Sequence, residues 1–107
     1  MSEEMKAGTK PTYTRKDILD AALELTYGSR NKQYGSPKKN LEIAANLLSS
    51  YLETNIEPHQ VAIIMMLCKI SRLAVNPDHT DSYVDMSAYA AIAAEVRELQ
   101  VTGEPLA

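Results

Sequence analysis

The 107-residue sequence contains no tryptophan and no phenylalanine, so six tyrosines supply all of its aromatic surface. Any surface that stacks against a nucleic-acid base must therefore be built from tyrosine. Lysine and arginine number 11 against 14 acidic residues, which gives a formal net charge of −3. Because duplex nucleic acid attracts proteins with a strongly basic field, this charge balance argues against a duplex nucleic-acid partner.

Cysteine and long apolar runs are also scarce. The single cysteine, Cys68, cannot form an internal disulfide, and we expect a small buried side chain there rather than a reactive thiol. The first residues lack the hydrophobic centre of a signal peptide, and no run reaches the roughly 20 apolar residues that a membrane span needs. The sequence therefore predicts a soluble cytoplasmic protein without a membrane partner.

Apolar residues recur at helical spacing in four segments, which predicts an all-α domain of about four helices. Short polar connections between the segments favour an antiparallel bundle. We place this single domain at residues 13–101. A charged, small-residue N-terminal tail at 1–12, predicted to be disordered, precedes it, and a C-terminal tail at 102–107 follows.

Residues that favour helix ends mark the boundaries of these segments. Thr14 begins the first helix in a pattern close to a capping box, and Ser36 caps the second helix. Gly28 is a natural end for the first helix, because glycine adopts the left-handed conformation at little cost. We expect Pro58 in the first turn of the third helix and Thr80 as the cap of the fourth.

The third helix, over residues 61–75, is apolar almost all round. A helix of this kind is buried on most of its sides. It is therefore either the central element of the bundle or part of an oligomer interface. Since a chain this short buries only a modest core, the extra apolar surface favours a homo-oligomer.

Two cations, Lys69 and Arg72, interrupt that apolar helix three residues apart and share one face. In an antiparallel hairpin they lie level with Asp81, Asp85 and Tyr89, which follow one another at four-residue spacing. Buried unpaired charges cost several kcal/mol, so partners are required. Two interpretations stay open: an ion-pair network that fixes the hairpin register, or a site where carboxylates hold Mg²⁺ and cations hold phosphate.

The loop before the second helix carries a second candidate set. Arg30 and Lys32 could close over an anion, Tyr34 could stack on a base, and Gly35 permits close approach of a ligand. The start of the second helix offers unpaired amides to an anion. The alternative is an ordinary solvated connection, and Asn40, in the first turn of that helix, means little on its own.

These motifs, in this order, resemble a family of small phage-encoded helical proteins of unassigned function. The resemblance covers about residues 14–98. The matching segments are residues 30–37 with Asn40, then 61–62, 65–67, 69–72, 81–85 and 88–90. More distantly, that family is similar to a domain associated with phage nucleotide modification, to the N-terminal domain of dATP/dGTP diphosphohydrolases and to MazG-like all-alpha NTP pyrophosphatases. The last of these bind Mg²⁺ through clustered acids on two helices.

The resemblance implies a nucleotide site. Its candidate catalytic residues are Asp81, Asp85 and Lys69, and the two aspartates are also the candidate metal ligands. Its candidate ligand-binding residues are Tyr34, Gly35, Asn40 and Arg72. The residue types and positions described above add Arg30, Lys32 and Tyr89 to the candidate ligand-binding set. The chain departs from the MazG-like pattern, since it has neither the Glu-Glu-x-x-Glu nor the Glu-x-x-Asp motif.

Three hypotheses follow. The first is a Mg²⁺-dependent hydrolase or modifier of a nucleoside phosphate, acting in the host cytoplasm. The second is a non-catalytic oligomeric protein that binds or sequesters a nucleotide, such as a host signalling nucleotide, and the missing acidic motif favours it. The third is a structural bundle whose charged residues form an internal ion-pair network. Whether the protein is an enzyme stays open.

Overall fold

The computed structural model describes residues 13–28 and 36–103. Over these ranges the chain forms four α-helices: α1 (Arg15–Tyr27), α2 (Pro37–Leu52), α3 (Pro58–Val75) and α4 (Thr80–Thr102). No strand occurs within them, so the predicted all-α fold is confirmed. The predicted tails lie almost entirely outside the described residues, and the domain boundaries stay a prediction.

The ends of α1 show one confirmed prediction and one correction. The Thr14 hydroxyl accepts a hydrogen bond from the Asp17 amide, and the Asp17 carboxylate accepts one from the Thr14 amide at 2.8 Å, which completes a capping box. Gly28 ends the helix as predicted, but with extended backbone (φ −85°) rather than left-handed backbone. A Cβ at this position would collide with the side chain and backbone carbonyl of Glu24, so close approach is what favours glycine.

Helix α2 begins as predicted, with the Ser36 hydroxyl accepting from the Lys39 amide at 3.3 Å. It ends at Glu53, which adopts the left-handed conformation (φ 54°). The turn into α3 is closed by Ser49. Its hydroxyl accepts from the Ile56 amide at 2.9 Å and donates to the Ile56 carbonyl at 3.2 Å. One side chain therefore satisfies both backbone groups of a residue in the turn.

The start of α4 corrects a predicted cap. Thr80 is the first helical residue rather than the cap, and His79 occupies the cap position. The His79 side chain makes no capping bond to the helix amides. Its Nδ1 instead lies 2.8 Å from the hydroxyl of Ser82, which is the most deeply buried polar residue of the described chain. The contact between His79 and Ser82 thus ties the short turn between α3 and α4 to a buried side chain of α4.

Helices α3 and α4 form a central antiparallel hairpin, α2 packs against α3, and α1 packs against α4. Two contacts show the register of the hairpin: His59 of α3 meets Gln100 of α4, and Lys69 meets Asp85. The core between the helices is small and rich in alanine. Its buried members are Leu41, Ala45, Val61, Ala62, Ala93 and Val96.

The expectation that α3 is buried on most sides is wrong within a single chain. Of its 18 residues, only Val61 and Ala62 are buried, because α2 and α4 leave the far side of the helix uncovered. Cys68 is exposed, which corrects the expected buried thiol. Among the described residues, α3 is also the one helix whose length and mean hydropathy, 1.2 over 18 residues, reach those of a membrane span.

Candidate ligand-binding site

The candidate site centres on an ion pair between the two helices of the hairpin. Nζ of Lys69, on α3, lies 3.0 Å from Oδ2 of Asp85, on α4. The two side chains are 18% and 30% exposed, so the pair is half-buried at the helix interface. Lys69 interrupts an apolar helix because its aliphatic stem lies along that interface while its ammonium group reaches a carboxylate and remains accessible to solvent.

The other two charges of the expected cluster do not join this pair. Arg72 and Asp81 are exposed, and neither makes an ion pair within 4.0 Å among the described residues. Each stands where a helix dipole favours its charge, Arg72 in the last turn of α3 and Asp81 in the first turn of α4. The expected network of two cations and two carboxylates is therefore reduced to one pair with a guanidinium one turn away.

Two further predicted ligand-binding residues have visible positions. Tyr89 is half-buried and packs against the core cluster, so its ring contributes to the packing of α4. Asn40 lies exposed in the first turn of α2, where its backbone N–H donates to the Ser36 carbonyl at 3.2 Å. Their roles in binding stay predictions. Arg30, Lys32, Tyr34 and Gly35 lie outside the described residues.

The predicted magnesium ligands fit a metal ion only in part. Asp81 and Asp85 stand one turn apart on α4, a spacing that suits two oxygen ligands. However, the ammonium group of Lys69 already occupies Oδ2 of Asp85, and a cation would have to displace it. Within residues 13–28 and 36–103, no three His, Cys, Asp or Glu side chains are placed to share a metal ion. The magnesium site stays a prediction, and we derive no chemical step from it.

A polar cluster at the opposite end of the hairpin was not predicted from the sequence. Oε1 of Glu57 accepts from Nε2 of Gln100 at 2.7 Å and from Arg97 at 3.4 Å. Nδ1 of His59 lies 2.9 Å from Oε1 of Gln100, so the ring donates from Nδ1. The sequence could have predicted this cluster. Counting outward from the α3–α4 turn places Lys69 level with Asp85, and the same count places position 57 level with position 97.

Near the start of α2 a second cation is neutralised locally. Nζ of Lys38 lies 2.7 Å from Oε2 of Glu42, one turn further along the helix. The hydrogen bond from Lys38 holds the pKa of the Glu42 carboxyl below its ordinary value, against the opposing effect of partial burial. Lys38 is therefore already paired, whereas Arg72 makes no ion pair among the described residues.

Fold and site together define a small all-helical domain built around a hairpin, with the half-buried ion pair of Lys69 and Asp85 at the hairpin interface. The chain belongs to the family described as Domain of unknown function (DUF6378), whose family model matches residues 17–97. The predicted membership of a family of phage proteins is thereby supported, since its relatives come from phages.

Two similar proteins share the name Gene 55 protein. The chain is 43% identical to the Gene 55 protein of Mycobacterium phage D29 over 88 residues, which are 82% of this chain and 58% of that protein. It is 38% identical to the Gene 55 protein of Mycobacterium phage L5 over 76 residues, 70% of this chain and 49% of that protein. The chain therefore spans about half the length of these relatives. No solved structure matches it.

Proposed function

We propose that this phage protein binds a nucleoside phosphate at the α3–α4 hairpin, in the cytoplasm of the host cell, with Lys69 and Arg72 as the phosphate ligands. The observation that carries the proposal is the half-buried pair between Lys69 and Asp85, 3.0 Å long, beside an exposed guanidinium without an ion pair among the described residues. The distant resemblance to nucleotide-handling domains supplies the nucleotide class.

The chemistry of the two cations suits phosphate. Arg72 presents a planar fork that can bind two phosphate oxygens at once, and Lys69 supplies a compact point charge. Because the two residues are three apart on one helix, their Cβ atoms are about 5–6 Å from each other, and both can reach one phosphate chain. Partial burial at the Lys69 end reduces solvent screening, which strengthens the attraction to an anion.

Asp85 acts in this proposal as a competitor for the lysine. In the absence of ligand, its carboxylate neutralises Lys69 and so removes the cost of a half-buried charge. A phosphate that binds Lys69 must take over this role. Binding is thus expected to be modest with Asp85 present and tighter when the carboxylate is removed.

A purely structural role for the ion pair is the competing account. It explains Lys69 and Asp85 as a device that fixes the register of the hairpin, and it explains Arg72 by the helix dipole alone. The two accounts differ at Arg72, because this residue is exposed and contributes little to folding, while the proposal makes it a ligand.

The decisive experiment is a titration of the full 107-residue chain with nucleoside mono-, di- and triphosphates, with and without Mg²⁺, by calorimetry and thermal shift. We expect at least one nucleotide to raise the melting temperature. Arg72→Gln should weaken its binding by about tenfold, which corresponds to about 1.4 kcal/mol, with the melting temperature of the unliganded protein unchanged.

Arg97→Gln is the matched control, since it removes the same kind of side chain at the opposite end of the hairpin. It should leave the affinity unchanged. If no nucleotide shifts the melting temperature, or if Arg97→Gln weakens binding as much as Arg72→Gln, the proposal fails and the structural account stands. Release of phosphate or pyrophosphate that requires Mg²⁺ would identify the protein as the predicted hydrolase rather than a binding protein.

A further inference from the structure

The uncovered side of α3 carries a regular apolar row. Ile63, Leu67, Ile70 and Ala74, which we call the α3 seam, follow one another at spacings of four, three and four residues. All four are exposed in the single chain, with Ile63, Leu67 and Ile70 at 45%, 58% and 48%. Alternation of three- and four-residue steps keeps a row facing one way along a helix, and it is the pattern through which helices pack against each other.

We propose that a second copy of this chain packs on the α3 seam and forms a symmetric dimer. The seam presents the same surface on both copies, so a two-fold axis can bring it against itself without any further recognition element. This inference does not depend on the proposed nucleotide site.

The charged residues of α3 lie away from the seam. At 3.6 residues per turn, Lys69 and Arg72 lie about 160° and 140° around the helix from Leu67, on the other side from the seam. The positions that flank the seam bear no lysine, arginine, aspartate or glutamate; they are Gln60, Ile64, Met66, Ser71 and Leu73. Without charged flanks, the seam offers no charges for a different partner to complement. Two identical apolar faces can pack against each other without charge complementarity.

The area of the seam sets the size of the interface. A helix of 18 residues is about 27 Å long and about 10 Å wide, so one face of α3 offers on the order of 300 Å². A stable interface buries about 800 Å² on each partner, so the contact must extend beyond the seam onto the apolar side chains that flank it on α3, which are Ile64, Met66 and Leu73.

Sedimentation equilibrium of the full chain tests the proposal directly. The chain mass is 11.8 kDa, so we expect 2 × 11.8 = 23.6 kDa at tens of micromolar protein, with a melting temperature that rises with protein concentration. Leu67→Glu places a charge at the centre of the seam and should give a monomer of 11.8 kDa. Val101→Glu, which introduces the same charge at an exposed apolar position on α4, should remain a dimer.

A second measurement keeps the test valid if Leu67→Glu does not fold. Cys68 is exposed and is the only thiol of the chain, so a spin label attaches at one defined position on unmodified sequence. A dimer gives dipolar coupling between two labels that disappears when labelled protein is mixed with excess unlabelled protein. A wild-type mass of 11.8 kDa without coupling would overturn the proposal, as would a folded Leu67→Glu variant that stays dimeric. Co-flotation of a monomer with vesicles of phosphatidylcholine and phosphatidylglycerol would assign the seam to a membrane instead.

Discussion

Lys69 and Asp85 are 16 residues apart in the sequence and face each other across the α3–α4 hairpin, with 3.0 Å between Nζ and Oδ2. Their partial exposure places the pair between two known regimes. Fully exposed pairs contribute about 0–1 kcal/mol, whereas removal of one partner from a buried pair costs about 3–5 kcal/mol. The pair therefore contributes to the stability of the hairpin register as well as to the candidate site.

Asp85→Asn should lower the free energy of unfolding by about 1–3 kcal/mol, because Lys69 is left half-buried without its carboxylate. Urea denaturation measures the loss. Asp81→Asn is the matched control, since Asp81 is exposed and has no ion pair among the described residues; it should change stability by about 0.5 kcal/mol or less. Equal stabilities for the two variants would show that the pair does not stabilise the hairpin.

The same Asp85→Asn protein should bind the nucleotide identified in the panel more tightly than the wild type, because the competing carboxylate is gone. Calorimetry on the folded variant measures this change. Lys69→Gln in the same background should abolish the gain. Weaker binding by Asp85→Asn would contradict the role of Asp85 as a competitor and would favour a direct contact between this carboxylate and the ligand or its metal ion.

Ser49→Ala should destabilise the protein by about 1–3 kcal/mol, because both the amide and the carbonyl of Ile56 lose their hydrogen-bond partner in a half-buried turn. Ser50→Ala provides a close control, since Ser50 is the exposed neighbour on the same helix. Thermal unfolding of the two variants should therefore differ clearly. If both unfold at the same temperature, the turn does not depend on the Ser49 hydroxyl.

Acid titration of Glu42, followed by NMR, should give a pKa below the ordinary value of 4.5, since Lys38 donates to its carboxylate. A lowered pKa in the folded protein means that this pair stabilises the fold above the ordinary pKa, and that its contribution is lost as the pH falls through the lowered value. Lys38→Gln should return the pKa toward 4.5. Lys39→Gln, whose charge acts on Glu42 only at a distance, should retain most of the shift.

Thr14→Ala should cost about 1 kcal/mol, because the capping box at the start of α1 loses the acceptor for the Asp17 amide. Urea denaturation again gives the value. Loss of this cap should also increase hydrogen exchange in the first turn of α1, because the Asp17 amide there loses its acceptor. An unchanged exchange rate there would show that the box does not hold the helix start.

Much of the local structure could be predicted because it depends on residues within one helical turn of each other. Thr14 and Ser36 cap their helices through hydrogen bonds with residues three positions further on, and Pro58 stands at the first position of α3. Periodic apolar side chains identify the helices that follow these residues. The pairing of Lys69 with Asp85 also followed from the sequence, because a short turn leaves little choice of register in an antiparallel hairpin.

The tertiary structure decided the features that depend on where other helices lie. The sequence showed that α3 is apolar almost all round, but only the packing of α2 and α4 determined that Val61 and Ala62 are covered and that Ile63, Leu67 and Cys68 are not. It likewise distinguished Lys69, which pairs with Asp85, from Arg72, which makes no ion pair within residues 13–28 and 36–103. The spacing of apolar residues in the sequence indicates how much apolar surface a helix carries. The positions of the neighbouring helices determine which part of that surface is buried within one chain.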